Sequence, residues 1–294
     1  MKVGIGLPPH DPAAMIDWAR RIEEGPFSTV GVLDRLIYDN PDPLIALAAI
    51  AGATSRVRLQ TEILLAPLRN TAILAKETAT LDRISGGRLV LGVGVGNYRG
   101  PRWDDYHVAG VDRHTRGKRL EEQIPELRRL WGGEPFDAQT DPIGPRPTRP
   151  EGPEILIGAF HPPALSRIAR LGVGFLSAGP PKYVGYLIKE VLQHWREAGR
   201  DGAPRIVAHA YVALGDDDVL DDARTSLAHY YGYLMDGPRV PDYMVTTREE
   251  LRTAIGRYGD LGIDEVICYC WGQDIGQVDR ISDVVADVAS DLVS

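Results

Sequence analysis

The sequence predicts an α/β protein, a single (β/α)8 TIM barrel with one helix behind each of eight parallel strands. Short apolar runs alternate with amphipathic segments along nearly the whole chain. The runs are almost continuously apolar, which is typical of strands that are buried on both faces of a parallel sheet. Eight such units close most naturally into a barrel, and an open doubly wound sheet is the alternative that the same pattern allows.

Each strand candidate is a short run dominated by Val, Ile and Leu, and each is followed by polar or small residues that end it. The fourth run differs because glycine alternates with valine. The predicted strands are Val3–Leu7, Thr29–Leu33, Val57–Leu64, Leu89–Val95, Glu154–Gly158, Gly174–Leu176, Ile206–Ala213 and Glu265–Tyr269.

The segments between the strands repeat apolar residues at three- and four-residue spacing, as helices that cover a sheet do. Asp42 before Pro43 is typical of an N-cap followed by proline at the first helical position, and Gly132–Gly133 of a helix end. The predicted helices are Ala13–Glu24, Pro43–Ala53, Thr71–Arg83, Arg113–Trp131, Pro163–Leu171, Lys182–Ala198, Asp217–Tyr233 with Arg248–Tyr258, and Gln277–Leu292.

Three connections are longer than ordinary loops. They are Gly96–Asp112 after strand four, Gly133–Pro153 before strand five and Met235–Thr246 after strand seven. Long loops in a compact domain are usually lids or binding loops, so we expect these insertions to shape a pocket. No linker-like stretch divides the chain, which predicts one domain over residues 1–294.

Composition excludes several classes of protein. The formal charge of −8 argues against a nucleic-acid binder, which needs a basic surface. The N-terminal stretch "MKVGIGLPPH" has no long apolar run for a signal peptide, and no 18-residue apolar stretch occurs elsewhere, so we expect a cytoplasmic protein with no membrane partner. Cys268 and Cys270 lie in an apolar run, and we interpret them as core residues without a metal, since matched ligands are missing nearby.

In such barrels the active site lies at the carboxyl ends of the strands. This chain has no helical His-x-x-x-His, no Gly-x-Ser-x-Gly and no phosphate-binding loop, which argues against the commonest metal, acyl-transfer and nucleotide chemistries. An apolar rim with few polar anchors suits an enzyme whose cofactor carries the reaction. The residues after the strands are Pro8–His10, Asp34–Arg35, Thr61–Glu62, Gly96–Arg99, Ala159–His161, Ser177–Gly179 and Cys270–Trp271.

Several of these residues also fit a purely structural role. Asp34 and Glu62 could form ion pairs with Arg35, Arg69 or another arginine at the rim. His209 lies in an apolar strand and could be a hydrogen-bonded core histidine or a proton donor. For His161 the functional interpretation is a phosphate contact, because the chain passes there from strand five into a helix N-terminus.

The stretch "LDRISGGRLVLGVGVGNY" does not carry the Gly-x-Gly-x-x-Gly fingerprint of a dinucleotide site, since the third position holds Asn97 or Arg99. Alternating glycines instead remove every second side chain from one strand face, so something large can pack there.

The segment Ala53–Tyr98, above all "AKETATLDRISGGRLVLGVGVG", closely resembles the bacterial luciferase-like superfamily, and "RGKRLEEQIPELRRLW" continues the resemblance. The resemblance implies an eight-stranded barrel that holds a flavin or deazaflavin at its C-terminal end. It also implies a flavin ring near the end of strand four, with Asn97 as a polar contact. Family members often carry a backbone bulge at the position of Thr61–Glu62.

Two departures from the family pattern concern the cofactor. Many relatives have a Ser-Gly element after strand five, where this chain has Phe160-His161-Pro162, and deazaflavin users often have an acid–histidine pair after strand two, where it has "LDRL". The residues that the resemblance and the strand ends together nominate for cofactor binding are Asp34, Thr61, Glu62, Gly96, Asn97, Tyr98, Arg99, Ala159, Phe160, His161 and Ala178.

These observations support a flavin-dependent oxidoreductase or monooxygenase that acts on a small organic substrate with reduced FMN from a separate reductase. One alternative is hydride transfer with coenzyme F420, and another is a flavin-binding protein without catalysis. His209 is the predicted general acid or base and His10 the residue that orients the substrate, because histidine titrates near neutral pH. The resemblance also implies a homodimer.

Overall fold

The computed structural model describes residues 1–9, 11–96, 104–232 and 237–291, and its strands form one closed barrel in chain order, β1 to β8. Neighbouring strands are parallel, including β8 with β1. The predicted fold class is therefore confirmed. The strands are β1 (Lys2–Gly6), β2 (Thr29–Val32), β3 (Arg58–Thr61), β4 (Leu89–Val93), β5 (Glu154–Gly158), β6 (Gly174–Ala178), β7 (Ile206–Val212) and β8 (Glu265–Cys270).

Helices surround this barrel, and two short 3-10 turns lie at Ala66–Leu68 and Gly237–Tyr243. The helix after β2 begins as the sequence predicts, because the Asp42 carboxylate accepts hydrogen bonds from the N–H groups of Leu44 and Ile45. The helices are α1 (Met15–Glu24), α2 (Pro43–Ala53), α3 (Thr71–Ile84), α4 (Asp105–Val108), α5 (Arg116–Trp131), α6 (Pro162–Leu171), α7 (Pro181–Glu197), α8 (Asp217–Tyr231), α9 (Arg248–Asp260) and α10 (Gln277–Asp291).

Several predicted bounds near the mouth of the barrel differ from the structure. Regular β3 ends at Thr61 and not at Leu64. The short helix α4 lies inside the predicted loop after β4, and α5 begins at Arg116 because the Asp112 side chain and carbonyl hold the preceding residues in a turn. The early end of β3 matters for function, because β3 lies beside β4, the strand with the alternating glycines.

Two apolar layers hold the barrel together. The outer layer lies between the strands and the helices, and includes Val3 and Ile5 of β1 together with Cys268 and Cys270 of β8. The inner layer fills the barrel with one residue or more from several strands and continues into α8. Burying these side chains removes them from water at a gain of roughly 25 cal/mol per Å² of apolar area.

The bottom of the barrel, at the amino ends of the strands, is closed by a buried ionic network. Glu265 is almost fully buried; one of its oxygens accepts from Thr29 Oγ1 and the other pairs with Arg205. Arg205 Nη1 also lies 2.9 Å from Glu154 Oε2, which pairs with Arg58 as well. Although burial alone would raise it, the two guanidinium groups hold the pKa of the Glu154 carboxyl below its ordinary value.

Among the helices that the structure describes, none is long and apolar enough to cross a membrane.

We predict that Glu265→Ala lowers the free energy of unfolding by about 3–5 kcal/mol, because it removes the fully buried member of the network, leaves the buried Thr29 hydroxyl without its acceptor and leaves the partly buried Arg205 guanidinium with Glu154 as its remaining charge partner. The measurement is urea unfolding followed by circular dichroism. The matched control is Arg248→Ala, which removes the exposed pair with Asp283 and should cost less than about 1 kcal/mol. Equal losses in the two variants would contradict a structural role for the basal network.

Candidate active site

The glycine face of β4 is occupied by the chain itself. A Cβ atom on Gly92 would lie 2.2 Å from the carbonyl oxygen of Thr61, and one on Gly94 would lie 3.1 Å from the Ile63 side chain. The missing side chains therefore make room for the segment that follows β3. The sequence predicts that something large packs on this face, and the structure shows that it is the segment after β3.

That segment forms a bulge at the exit of β3. Gln60 pairs with Val90, and the next recorded pairing joins Leu64 to Val93, so β3 advances four residues while β4 advances three. The Gly92 carbonyl accepts from the N–H of Leu64 at 2.8 Å and from Thr61 Oγ1 at 2.7 Å, and the Glu62–Ile63 peptide bond is cis. The backbone bulge that the family resemblance implied at Thr61–Glu62 is present.

Ile63 lies at the top of the bulge and is half-buried. Its side chain extends over Gly94, which directly follows β4, and over Gly158 of β5, where a Cβ atom on Gly158 would lie 1.7 Å from Ile63 Cδ1. Two neighbouring strands thus lack side chains where Ile63 crosses them. The result is an apolar platform at the C-terminal mouth, on the β3–β5 side of the barrel.

Glu62 points from the same bulge into the barrel. Its carboxylate accepts from the Gln60 side-chain amide and contacts His209 Nε2 of β7. Glu62 and Gln60 have no exposed side-chain surface or almost none, and the His209 side chain keeps only 7% exposure. Gly31 of β2 makes room for this carboxylate, since a Cβ atom there would lie 2.8 Å from Glu62 Oε1.

Sequence reasoning nominated Glu62 and His209 separately, and the structure brings them into contact. Tyr269 of β8 lies beside them, with its ring centroid 5.9 Å from that of His209. Burial, reinforced by the nearby Glu62 charge, raises the pKa of the Tyr269 hydroxyl well above its ordinary value. The barrel interior under the bulge is therefore a closed polar cluster in which a histidine and a carboxylate can share a proton.

Asp34, at the exit of β2, makes contacts with the protein through both carboxylate oxygens. Oδ2 accepts from the N–H of Leu65 at 2.8 Å and from Arg69 Nη1 at 2.6 Å, and Oδ1 accepts from the same guanidinium. Burial raises the pKa of the Asp34 carboxyl, and the Arg69 charge opposes that rise. The structure thus gives Asp34 the role of holding the end of the bulge, and cofactor binding by this residue stays a prediction.

The exits of β5 and β6 place the other predicted residues at the same end of the barrel. Ala159 is buried, while Phe160 is 42% exposed and stacks on Tyr183 with ring centroids 6.5 Å apart. Ala178 ends β6.

An anion at the start of α6 would meet few backbone donors. His161 is the N-cap, the next two residues are Pro162 and Pro163, and the N–H of Ala164 donates to the His161 carbonyl. Proline has no N–H, so a phosphate at this position would depend on the His161 side chain and on the amides before the prolines.

Four of the nominated residues, His10, Asn97, Tyr98 and Arg99, lie outside the described residues. Gly96, the last described residue of this stretch, has a φ of +63°, a conformation that glycine adopts readily. The predicted Asn97 contact and the role of His10 stay predictions.

The sequence predicts the helix Asp217–Tyr233, which the structure has as α8, but not that the end of this helix covers the mouth. Near its end α8 carries Tyr230 and Tyr231, whose rings pack against Trp271, which follows β8. Tyr230 also meets Tyr38, from the loop after β2, at 5.0 Å between ring centroids, and the hydroxyls of Tyr231 and Tyr211 lie 2.6 Å apart. The amphipathic pattern of this helix is that of an ordinary surface helix, and the two adjacent tyrosines near its end are the feature that could have indicated its position over the mouth.

A second missed contact joins two loops at the mouth. Asp105 of α4 is buried and accepts from the N–H groups of Leu36 and Ile37, both at 2.9 Å. Its other oxygen lies 2.8 Å from Arg35 Nε, and the Arg35 guanidinium lies 6.0 Å from the Tyr230 ring. One arginine thereby links the loops after β2 and β4 with α8.

Within the described part of the chain no group of three or more His, Cys, Asp or Glu side chains could hold a metal ion. Both cysteines are buried, and burial raises the pKa of the Cys268 thiol to about 12. The interpretation of the cysteines as core residues agrees with this arrangement.

Comparison with known proteins places these features in a family. The model of the luciferase-like monooxygenase family matches residues 2–264. An uncharacterized protein of Mycobacterium tuberculosis is 33% identical over 176 residues, which are 57% of this chain and 60% of that protein, so the chain matches less than two thirds of that relative's length. The 4-hydroxyprotoasukamycin monooxygenase of Streptomyces nodosus is 27% identical over 268 residues, covering 84% of this chain and 67% of that enzyme.

Solved structures share the fold. An F420-dependent secondary alcohol dehydrogenase in complex with an F420-acetone adduct superposes with a TM-score of 0.79 at 20% identity, and covers 98% of each chain. The oxygenating component of 3,6-diketocamphane monooxygenase from Pseudomonas putida, in complex with FMN, gives 0.74 at 16% identity and also covers 98% of each chain. At these identities the likeness establishes the barrel and leaves the cofactor open.

We predict that Gly92→Ala lowers the free energy of unfolding by about 1–3 kcal/mol, because the new Cβ meets the Thr61 carbonyl, a backbone atom that moves only if the bulge moves. The measurement is urea unfolding. Gly256→Ala is the control, since nothing lies within 4 Å of a Cβ on that helical glycine and the change should stabilise by about 0.5–1 kcal/mol. A neutral Gly92→Ala variant would contradict the packing of the bulge on β4.

Proposed function

The chain belongs to the luciferase-like monooxygenase family, and we propose from this premise that it inserts one oxygen atom into a small organic substrate at the mouth of the barrel, with reduced FMN and molecular oxygen as co-reactants. The observation that carries the proposal is the β3 bulge, which presents the half-buried Ile63 as an apolar platform directly above the buried contact between Glu62 and His209. A platform of this kind suits the face of a planar ring, and a protonatable pair below it suits proton transfer.

The residues around the platform fit a flavin. The ring would lie over the bulge, between Ile63 and the exposed Phe160, with Asn97 as the expected polar contact at the exit of β4. The phosphate would lie near His161, whose side chain replaces the backbone donors that Pro162 and Pro163 lack. When bound, reduced FMN would supply two electrons to molecular oxygen, of which one atom enters the substrate and the other leaves as water.

The remaining steps belong to the chain's own side chains. His209 holds a proton against Glu62, and Gln60 orients that carboxylate through its amide. The aromatic residues of α8 and Trp271 cover the mouth and exclude water, which strengthens electrostatic interactions inside it. Since Glu62 and His209 are both buried, one proton shared between them is the arrangement that avoids an isolated charge.

Hydride transfer with coenzyme F420 is the second candidate function. It is favoured by the solved F420-dependent alcohol dehydrogenase, whose fold matches this chain over 98% of its length. Against it, Arg35 follows Asp34 at the exit of β2, where an acid–histidine pair would need a histidine. Asp34 forms an ion pair with Arg69, and Arg35 forms one with Asp105. We therefore place FMN first.

The proposed partners are a separate flavin reductase and a second copy of the chain. Helix α2 has no charged residue, and its outer side carries Ile45, which is 74% exposed, next to Ala49 and Gly52. Small residues let two helices approach closely, so α2 of one copy can pack against α2 of another.

We predict that the purified protein binds reduced FMN at one site per chain and at least about tenfold more tightly than reduced F420, a difference of about 1.4 kcal/mol. Anaerobic titration followed by quenching of tryptophan fluorescence measures both affinities. Tighter binding of F420 would replace the first candidate by the second. Absence of binding for both would remove the proposal.

We predict that His209→Gln keeps FMN affinity and lowers turnover by roughly a hundredfold, because glutamine retains a polar group but does not titrate. Turnover is measured on whichever small ketone or aldehyde of a test panel the unaltered protein oxidises. The control is His194→Gln, on the outer helix α7, where turnover should not change. Turnover of His209→Gln within about threefold of normal, with the same pH profile, would make His209 a structural residue.

A further inference from the structure

Trp271 carries a buried hydrogen-bond donor without a partner. The residue is 2% exposed, and its indole Nε1 has no hydrogen-bond partner among the described residues. Two indoles of the outer layer are paired, by contrast: Trp131 Nε1 donates to the Ala75 carbonyl at 3.1 Å and Trp195 Nε1 to the Asp201 carbonyl at 3.3 Å. A buried donor left unpaired costs about 1–3 kcal/mol, so such groups are rare unless a water or a ligand completes them.

The position of Trp271 is that of a ligand contact. It directly follows β8, at the end of the barrel where βα loops build active sites. Its ring packs with Tyr211, Tyr230 and Tyr269, with centroids 4.9 to 6.2 Å apart, so the indole is part of the aromatic cover of the mouth. A hydrogen-bond acceptor that reaches it must enter the mouth.

The acceptor is better assigned to the substrate than to the cofactor. The platform that would support the cofactor lies at the exits of β3, β4 and β5, whereas β8 is on the opposite side of the closed barrel, four strands from β4. With the cofactor on the Ile63 platform, a second ligand held between it and the β8 side would meet Trp271. That second ligand is the substrate.

We propose, on the basis of the proposed function, that the Trp271 indole N–H positions the substrate by donating a hydrogen bond to its carbonyl or hydroxyl oxygen. The tyrosine and tryptophan rings around that donor supply a flat apolar surface. The substrate class that fits is a small, mainly apolar organic compound with a ring and one acceptor oxygen. Trp271 is therefore a specificity-determining residue, separate from the proton transfer assigned to His209.

The test uses acetophenone, an aromatic ring with one acceptor oxygen, and ethylbenzene, which has a similar shape without the oxygen. Protein labelled with ¹⁵N in its five tryptophans is saturated with FMN, and the indole N–H signals are followed during each titration. Trp271→Phe identifies the Trp271 signal and removes the donor while keeping an aromatic ring, and ethylbenzene binding reports the effect of the lost ring area. Trp195→Phe, whose indole is bonded outside the barrel, is the matched control.

We expect acetophenone to move the Trp271 proton signal downfield and ethylbenzene not to do so, while the signals of Trp131 and Trp195 stay in place. Trp271→Phe should weaken acetophenone binding about three- to tenfold, as loss of one neutral hydrogen bond does, with ethylbenzene binding unchanged. If Trp271→Phe does not fold, the Trp271 signal is assigned by replacing the other four tryptophans one at a time. The difference between the shifts that acetophenone and ethylbenzene cause in this signal then tests the proposal.

Three results would overturn the proposal: the same response to both probes, no acetophenone binding up to its solubility, or a Trp271 signal that moves downfield with FMN alone and not with acetophenone. The last would assign the donor to the cofactor. Failure of the proposed function is a distinct result, namely no FMN binding in the initial titration, and an acetophenone-specific shift without FMN would then leave the Trp271 contact standing.

Discussion

The packing of the β3 bulge against the bare face of β4 is the constraint on which the rest of the site depends. Gly92 accepts hydrogen bonds from Thr61 and Leu64 through one carbonyl, and has no side chain that would displace them. This contact sends Ile63 upward to the mouth and Glu62 inward to His209. A side chain at Gly92 would push the bulge away from β4. Both the Ile63 platform and the contact between Glu62 and His209 would then move, because the same short segment carries Ile63 and Glu62.

The charged and polar groups at the two ends of the barrel have different roles, stability at the bottom and ligand binding at the mouth. At the bottom, Glu265 and Glu154 are matched by Arg205 and Arg58, a closed network that suits stability. At the mouth, pairs such as Asp34 with Arg69 hold the loops, and an unsatisfied group, the Trp271 indole, remains. Unpaired buried polar groups are costly, so their position at the ligand-binding end agrees with a site that a bound molecule completes.

The sequence predicted the fold well because hydrophobic periodicity is a local signal that eight repeated units reinforce. It also indicated the exit of β3, through family resemblance, and it nominated Glu62 and His209 as separate candidates. Their contact was beyond sequence reasoning, since it depends on inward directions of side chains that lie 147 positions apart in the chain. The same holds for the rings of α8 over Trp271. The glycines of β4 were interpreted as space for a large neighbour, and only the three-dimensional register identifies that neighbour as the chain's own bulge.

The most direct measurement of the central claim is a crystal structure of the protein soaked with FMN. The account predicts density for the flavin ring over Ile63, at the exits of β3, β4 and β5, with His209 and Glu62 still in contact below it and with Trp271 facing the ring from the other side of the mouth. A ring bound elsewhere, for example in the cavity of about 370 Å³ between the exit of β6 and α9, would contradict the assignment of the bulge as the cofactor platform.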